Sequence, residues 1–167
     1  MKNCFKEGAI LPDFIATSIA HHQVKTNIGA HQIFLGQVRA DEIEGKEVAA
    51  IEYSAHEEMA NKAFHKIREA AFEKFDLTCM HIYHSLGSVK TGEICLFVFV
   101  SSKHRKQVQL AIEFLVEAIK ADVPVFGKEV FEDGSFVYKS NVWLVVRQSV
   151  SGQWTVDSGQ LMVDSWW

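Results

Sequence analysis

The sequence has no long run of one charge sign, no apolar stretch long enough to cross a bilayer and no closely spaced pair of cysteines. Each absence removes a class of function. With a formal net charge of -4 and no basic arm, the chain lacks the electrostatic footprint of a nucleic-acid binder. Residues Met1 to Phe14 interleave Lys2, Lys6 and Glu7 with apolar side chains, so no signal-peptide core is read there; no membrane association and a cytoplasmic location are expected. Cys4, Cys79 and Cys95 are an odd number at wide spacing and read as reduced structural thiols, not as a zinc or redox site. Neither a Walker phosphate loop nor a dinucleotide fingerprint occurs, and the nearest approach to H-E-x-x-H fails at Ala60. His81 and His84, three apart on a predicted strand, point to opposite faces and make a poor chelating pair. Nothing resembles a nucleophile elbow. No metal and no cofactor are expected.

What is present is an ordered alternation of apolar patterns in a chain of 167 residues, a size at which one domain buries its own core. His31 to Arg39 and Val48 to Tyr53 read as a strand pair turning near Gly45. Ser54 stands three residues before Glu57 as a capping box, and Met59, Ala60, Ala63, Phe64, Ile67, Ala70 and Ala71 then recur at helical spacing to about Phe75. Thr78 to His84 and Ile94 to Val100 form a second strand pair around Gly87 and Thr91-Gly92. A second helix follows, with Ser102 as N-cap and Val108, Ala111, Ile112, Leu115, Val116 and Ile119 on one face. Pro124 ends it. Val125 to Val130 and Phe136 to Tyr138 are read as strands joined by the Glu132-Asp133-Gly134-Ser135 turn. Strand pairs separated by two main helices predict an α+β fold with mainly antiparallel pairing. Residues 141–167 differ in character: V-W-L-V-V ending at Val146 is strand-like, Ser151-Gly152 turns it back, and Trp154, Trp166 and Trp167 follow. An extra C-terminal hairpin covering an edge or an interface is expected. No repeat or linker divides the chain, so 1–167 is read as one domain.

Positive charge gathers around the second helix. Lys103, His104 and Arg105 occupy its first turn, where the helix dipole is already positive and acidic residues are preferred by roughly 0.3 to 1 kcal/mol. Cations there suit an anion held on free backbone N–H groups, although solvated side chains would give the same pattern. Lys120 near the C-terminal end is the dipole-favoured arrangement and by itself needs no function. Arg39, at a strand end, is equally ambiguous alone.

Taken together, G-Q-V-R at Gly36 to Arg39, S-S-K-H-R at Ser101 to Arg105 and K-A-D-V-P-V-F-G-K-E at Lys120 to Glu129 resemble the three signature segments of the molybdopterin synthase large-subunit family, in order and in separation. H-S-L-G at His84 to Gly87, with T-G-E at Thr91 to Glu93, resembles a further landmark, so the similarity covers about Gly29 to Tyr138. The resemblance implies an α/β hammerhead-type single domain and a central homodimer with a small ubiquitin-like subunit at each end, making a heterotetramer. It also implies transfer of sulfur from that subunit's C-terminal thiocarboxylate to cyclic pyranopterin monophosphate, giving molybdopterin for molybdenum cofactor biosynthesis. Carried over by position, Phe34, Gln37, Arg39, His104, Arg105, Lys120 and Lys128 bind substrate, with His104 and Arg105 reaching in from the other protomer and Lys120 and Lys128 in the catalytic role. Thiocarboxylate and phosphate are both anions, so preorganised cations must offset their repulsion. Arginine grips phosphate with a planar fork, whereas lysine can give up and recover a proton.

The chain departs from the family pattern at two positions. Gly127 replaces the first lysine of a lysine-lysine-glutamate run, and Ser85 replaces an arginine after His84. These losses keep open an alternative, a non-catalytic paralogue that binds the small subunit as a dimeric binding module. An unrelated phosphometabolite enzyme on a similar scaffold is a third reading.

Overall fold

The computed structural model describes residues 3–138, and the backbone of two short strands at Val146–Gln148 and Trp154–Val156. In chain order the elements are β1 (Phe5–Glu7), α1 (Pro12–Gln23), β2 (Ala30–Gln37), β3 (Glu42–Ile43), β4 (Lys46–Ala55), α2 (Glu57–Lys74), β5 (Cys79–Lys90), β6 (Ile94–Ser102), α3 (Arg105–Asp122), β7 (Val125–Phe131), β8 (Phe136–Tyr138), β9 (Val146–Gln148) and β10 (Trp154–Val156). The main sheet runs β2-β6-β5-β4-β7-β8, with β3 on β4 and β1 on β5. Its pairings are antiparallel except β1 with β5. The expected α+β architecture with mainly antiparallel strands is therefore found, but the first expected strand pair is not: β2 pairs with β6 instead of β4, and the turn at Gly45 joins the short β3 to β4.

β6 explains the layering. Its residues Cys95 to Val100 are fully buried, as expected of a strand covered on both faces. Leu96, Val98 and Val100 point into a core shared with Phe64 and Ile67 of α2 and Ala111, Leu115 and Ile119 of α3. Phe97 and Phe99 point the other way, against Ile10 and Ile15. Ile15 belongs to α1, a helix the sequence pattern left without an element. Its signals are slight: Pro12 and Asp13 at the start, and few apolar anchors among solvent-facing residues. A third cluster, Val38, Val48, Ile51, Tyr53, Val89, Cys95 and Phe131, fills the other half of the sheet.

Both expected N-caps move. Ser54 stays inside β4, paired with Phe126 of β7, and α2 begins after His56 with no side-chain cap. Ladder pairing takes the Ser54 backbone that a capping box would use. Ser102 ends β6, and His104 occupies the N-cap of α3. The Ser102 hydroxyl instead donates to the Asp76 carbonyl at 2.6 Å and accepts from the His104 N–H at 3.3 Å. β5 also outruns its expected end at His84. Gly87, at φ +75, keeps the strand going opposite Tyr53, and a Cβ there would lie 2.4 Å from the Glu7 carboxylate.

β9 and β10 pair antiparallel with Trp154 opposite Gln148, which brackets the expected turn at Ser151-Gly152. The strand expected at 142–145, the residues Trp166 and Trp167, and whatever the hairpin covers lie outside the described residues. No described helix is long and apolar enough to cross a membrane.

Candidate functional site

α3 packs against β6 and β2 and sets the geometry of the cations. It follows β6 after two residues and runs back along it, while β2 is antiparallel to β6. α3 and β2 therefore run in the same direction. Their starts meet at Gly29, whose N–H donates to the Ser102 carbonyl at 3.1 Å and where a Cβ would come within 2.4 Å of the Lys103 carbonyl oxygen. At this end Lys103, His104 and Arg105 are exposed, the first turn of α3 holds no acid, and no side chain caps it. Free N–H groups and cations share one surface there.

The opposite end carries Lys120, half-buried in the last turn of α3, and Gln37 and Arg39 at the end of β2. Arg39 is exposed and pairs with Asp41 at 3.1 Å. Phe34 lies between the two ends, packed into the core beneath α3. An 18-residue helix is about 27 Å long. Within one chain, then, Arg39, Gln37 and Lys120 gather at one end, and His104 and Arg105 stand a helix length away.

Lys128 lies elsewhere. It pairs in register with Glu52 of β4, forms an ion pair with that carboxylate, and places its ammonium 4.7 Å from the centre of the Phe136 ring. Gly127 is opposite Tyr53, and Glu129 is opposite Ile51, on the buried side. Cross-strand partners share a face and neighbours alternate, so Lys128 and Gly127 face opposite sides of β7.

Beneath Gly127 the structure gathers buried polar groups that the sequence patterns did not single out as a set: Tyr53, His84, Cys95 and Glu129. Tyr53 and Cys95 carried no signal, since each reads as an ordinary strand residue. Burial, then the neighbouring Cys95 and Glu129, raises the Tyr53 hydroxyl well above the usual phenol range. The His84 ring sits edge-on to Tyr53 at 5.0 Å, and its Nδ1–H donates to the Ser85 carbonyl at 2.8 Å. Ser85 is fully buried, and its hydroxyl has no hydrogen-bond partner. Among the described residues no cluster of three His, Cys, Asp or Glu side chains is placed to hold a metal ion.

Burial lowers the His84 pKa from 6.5 to about 4, so the ring is neutral at pH 7. The folded state then binds fewer protons than the unfolded state between those two values, and stability falls as pH drops through that window. The expected loss is about 3 kcal/mol by pH 4 from this group, with His31, also lowered by burial and then by His22, adding in the same direction. Urea midpoints of the native protein and His84→Gln between pH 7 and pH 4 check this. Equal pH slopes for the two proteins would remove His84 as the cause.

A family model described as MoaE protein matches residues 12–122. The chain belongs to the MoaE protein family. Among relatives, the molybdopterin synthase catalytic subunit of Pyrococcus abyssi is 38% identical over 111 residues, 66% of this chain and 74% of that protein. The Dictyostelium discoideum catalytic subunit is 38% identical over 109 residues, 64% of this chain and 68% of its own, and the Bos taurus protein is 34% identical, with 68% and 59% covered. Molybdopterin synthase from Staphylococcus aureus superposes with a TM-score of 0.71 at 29% identity, covering 84% of this chain and 98% of that one. A complex of subunits 1 and 2 of the molybdopterin-converting factor from Helicobacter pylori contains a chain of the same fold, with a TM-score of 0.70 at 20% identity over 81% and 88%. MoaE membership bears out the family read from the motifs, and relatives named as catalytic subunits leave the non-catalytic alternative unfavoured.

Proposed function

We propose that this MoaE-family chain transfers sulfur from the C-terminal thiocarboxylate of a small ubiquitin-like subunit to cyclic pyranopterin monophosphate, and does so in the cytoplasm as a homodimer carrying one small subunit at each end. The observation that supports this most directly is the split of the cations between the two ends of α3. One chain holds half a site at each end, and a two-fold axis across the middle of α3 and β2 unites them. β2 favours such an axis: it is the terminal strand of the main sheet and carries an exposed Leu35. Antiparallel pairing of β2 with its copy sets the start of one strand beside the end of the other. His104 and Arg105 of one protomer then approach Arg39 and Lys120 of its partner.

In this arrangement Arg39 and Arg105 hold the phosphate, helped by His104 and the free N–H groups of α3. Phe34 and Gln37 lie on the strand beside them and shape the substrate pocket. Lys120 is the proton donor and acceptor as the thiocarboxylate sulfur bonds to a carbon of the pterin side chain and a C–O bond at that carbon breaks; water then cleaves the resulting thioester, leaving sulfur on the pterin and a C-terminal carboxylate on the small subunit. Lys128 joins the site only by leaving Glu52. Cys4, Cys79 and Cys95 form no disulfide, which suits a reducing compartment.

The deciding experiment mixes the protein with its thiocarboxylated small subunit and cyclic pyranopterin monophosphate and measures molybdopterin. Product is expected. A stable complex without product would transfer support to the binding-module reading. Gly127→Lys restores an ammonium on the Tyr53 side of β7 and is expected to lower the pterin KM by about tenfold, since a charge-assisted hydrogen bond contributes roughly 1.5 to 3 kcal/mol. An unchanged KM in steady-state kinetics would show that this side chain does not reach the substrate.

A further inference from the structure

Arg39 emerges from an irregularity in the sheet. Gln37 is in register with Ile94 and Gly36 with Leu96, so Cys95 is the extra residue of a β-bulge. The bulge breaks the alternation of β6: Ile94 turns toward the α1 face, Leu96 toward α2 and α3, and Cys95 into the cluster with Val38 and Tyr53. There the fully buried thiol donates to the Gly36 carbonyl at 3.4 Å and hydrogen-bonds the Tyr53 side chain. Just beyond, the Val38 N–H donates to the Glu93 carbonyl at 3.0 Å, and the Val38 carbonyl accepts from the Gly92 N–H at 2.8 Å.

A polar chain thus runs from Tyr53, opposite Gly127 on β4, through Cys95 to the backbone of Gly36, three residues before Arg39. Gly36 opens the G-Q-V-R segment, and Gly127, the cross-strand partner of Tyr53, lies in the K-A-D-V-P-V-F-G-K-E segment. The bulge lies on β6 and shifts the register of the β2 segment beyond it, with Gln37 opposite Ile94 and Val38 bonded to Glu93, so whatever fixes the bulge fixes the course of the backbone that carries Arg39. Val38 anchors the segment by burial, and the thiol adds the directional constraint at Gly36.

We propose that Cys95 is a positioning residue: through its hydrogen bonds to Gly36 and Tyr53 it holds the β2–β6 bulge that aims Arg39 at the substrate phosphate. This rests on the reading of Arg39 as a phosphate ligand. Cys95→Val keeps the volume but removes the donor, Cys95→Ser keeps a donor, and Tyr53→Phe removes only the hydroxyl at the far end of the chain.

A loosely aimed phosphate grip weakens ground state and transition state alike, so Cys95→Val is expected to raise the pterin KM by about tenfold with kcat within about twofold of native. Tyr53→Phe moves KM in the same direction by about threefold, and Cys95→Ser restores it to near the native value, because a hydroxyl donates to the same carbonyl. A purely structural role would lower the melting temperature without this KM-against-kcat split and without rescue by serine. Calorimetric binding of cyclic pyranopterin monophosphate gives a readout independent of turnover. Native binding without product would overturn the sulfur-transfer reading while still testing Cys95 through the variants' affinities. Native protein that neither binds nor turns over the pterin would overturn both. If Cys95→Val does not fold, Tyr53→Phe decides alone, and native affinity and KM in that variant would overturn the proposal.

Discussion

Lys120→Ala is expected to lower kcat for molybdopterin formation by about 100- to 10,000-fold, the range typical of a lost general acid–base group. The pterin KM should change far less, because in the proposed site Arg39, His104 and Arg105 remain to hold the phosphate. Folding should survive. Lys120 is half-buried on the last turn of α3, and the described structure gives it no ion pair whose loss would strand a buried partner. The dipole interaction forfeited there is worth about 0.3 to 1 kcal/mol. Single-turnover kinetics with a thermal melt alongside separate the two effects. Turnover within tenfold of native, with the melt unchanged, would remove Lys120 from the chemistry and leave it a surface lysine at a helix end.

Mixing two inactive variants should restore activity. In the proposed dimer each site takes Lys120 from one protomer and Arg105 from the other. Arg105→Ala alone is expected to lower kcat/KM by about 100-fold, as loss of a charge-assisted phosphate contact of roughly 1.5 to 3 kcal/mol implies. Lys120→Ala alone is nearly inactive. In a mixed dimer, one site receives both substitutions and the other receives neither. With half the dimers mixed after co-refolding, activity should reach roughly a quarter of native, as follows from the two-fold symmetry. If both groups came from one chain, no mixture would exceed the average of the two variants. The roughly 27 Å length of α3 already argues against a single-chain site.

The helices were legible where burial is one-sided. α3 shows its core face as Val108, Ala111, Leu115 and Ile119, and those residues are buried. α2 is similar, with Ala60, Phe64, Ile67 and Ala71 inside. α1 was not legible, because it lies on the sheet through few side chains and is mostly open to water. Ser54 and Ser102 misled for one reason: a short polar side chain beside a helix start reads as a cap, yet both backbones are claimed by strand pairing. The candidate site was legible as a set of segments. Its buried support was not, because nothing in a pattern of apolar residues separates Tyr53 and Cys95 from ordinary core.

The sequence by itself determined the family and the strand and helix alternation, and offered Arg39, His104, Arg105, Lys120 and Lys128 as candidate cations, because motif order and hydrophobic period are local properties of the chain. Only the tertiary structure decided where those cations stand. That α3 and β2 run the same way depends on how β6 turns back on both neighbours, a relation between segments distant in sequence. The side of β7 that Lys128 faces depends on strand register, and the direction of Arg39 depends on one extra residue in the β6 ladder. Such long-range pairings have no signature in spacing, since they are fixed by what each strand meets when the core closes.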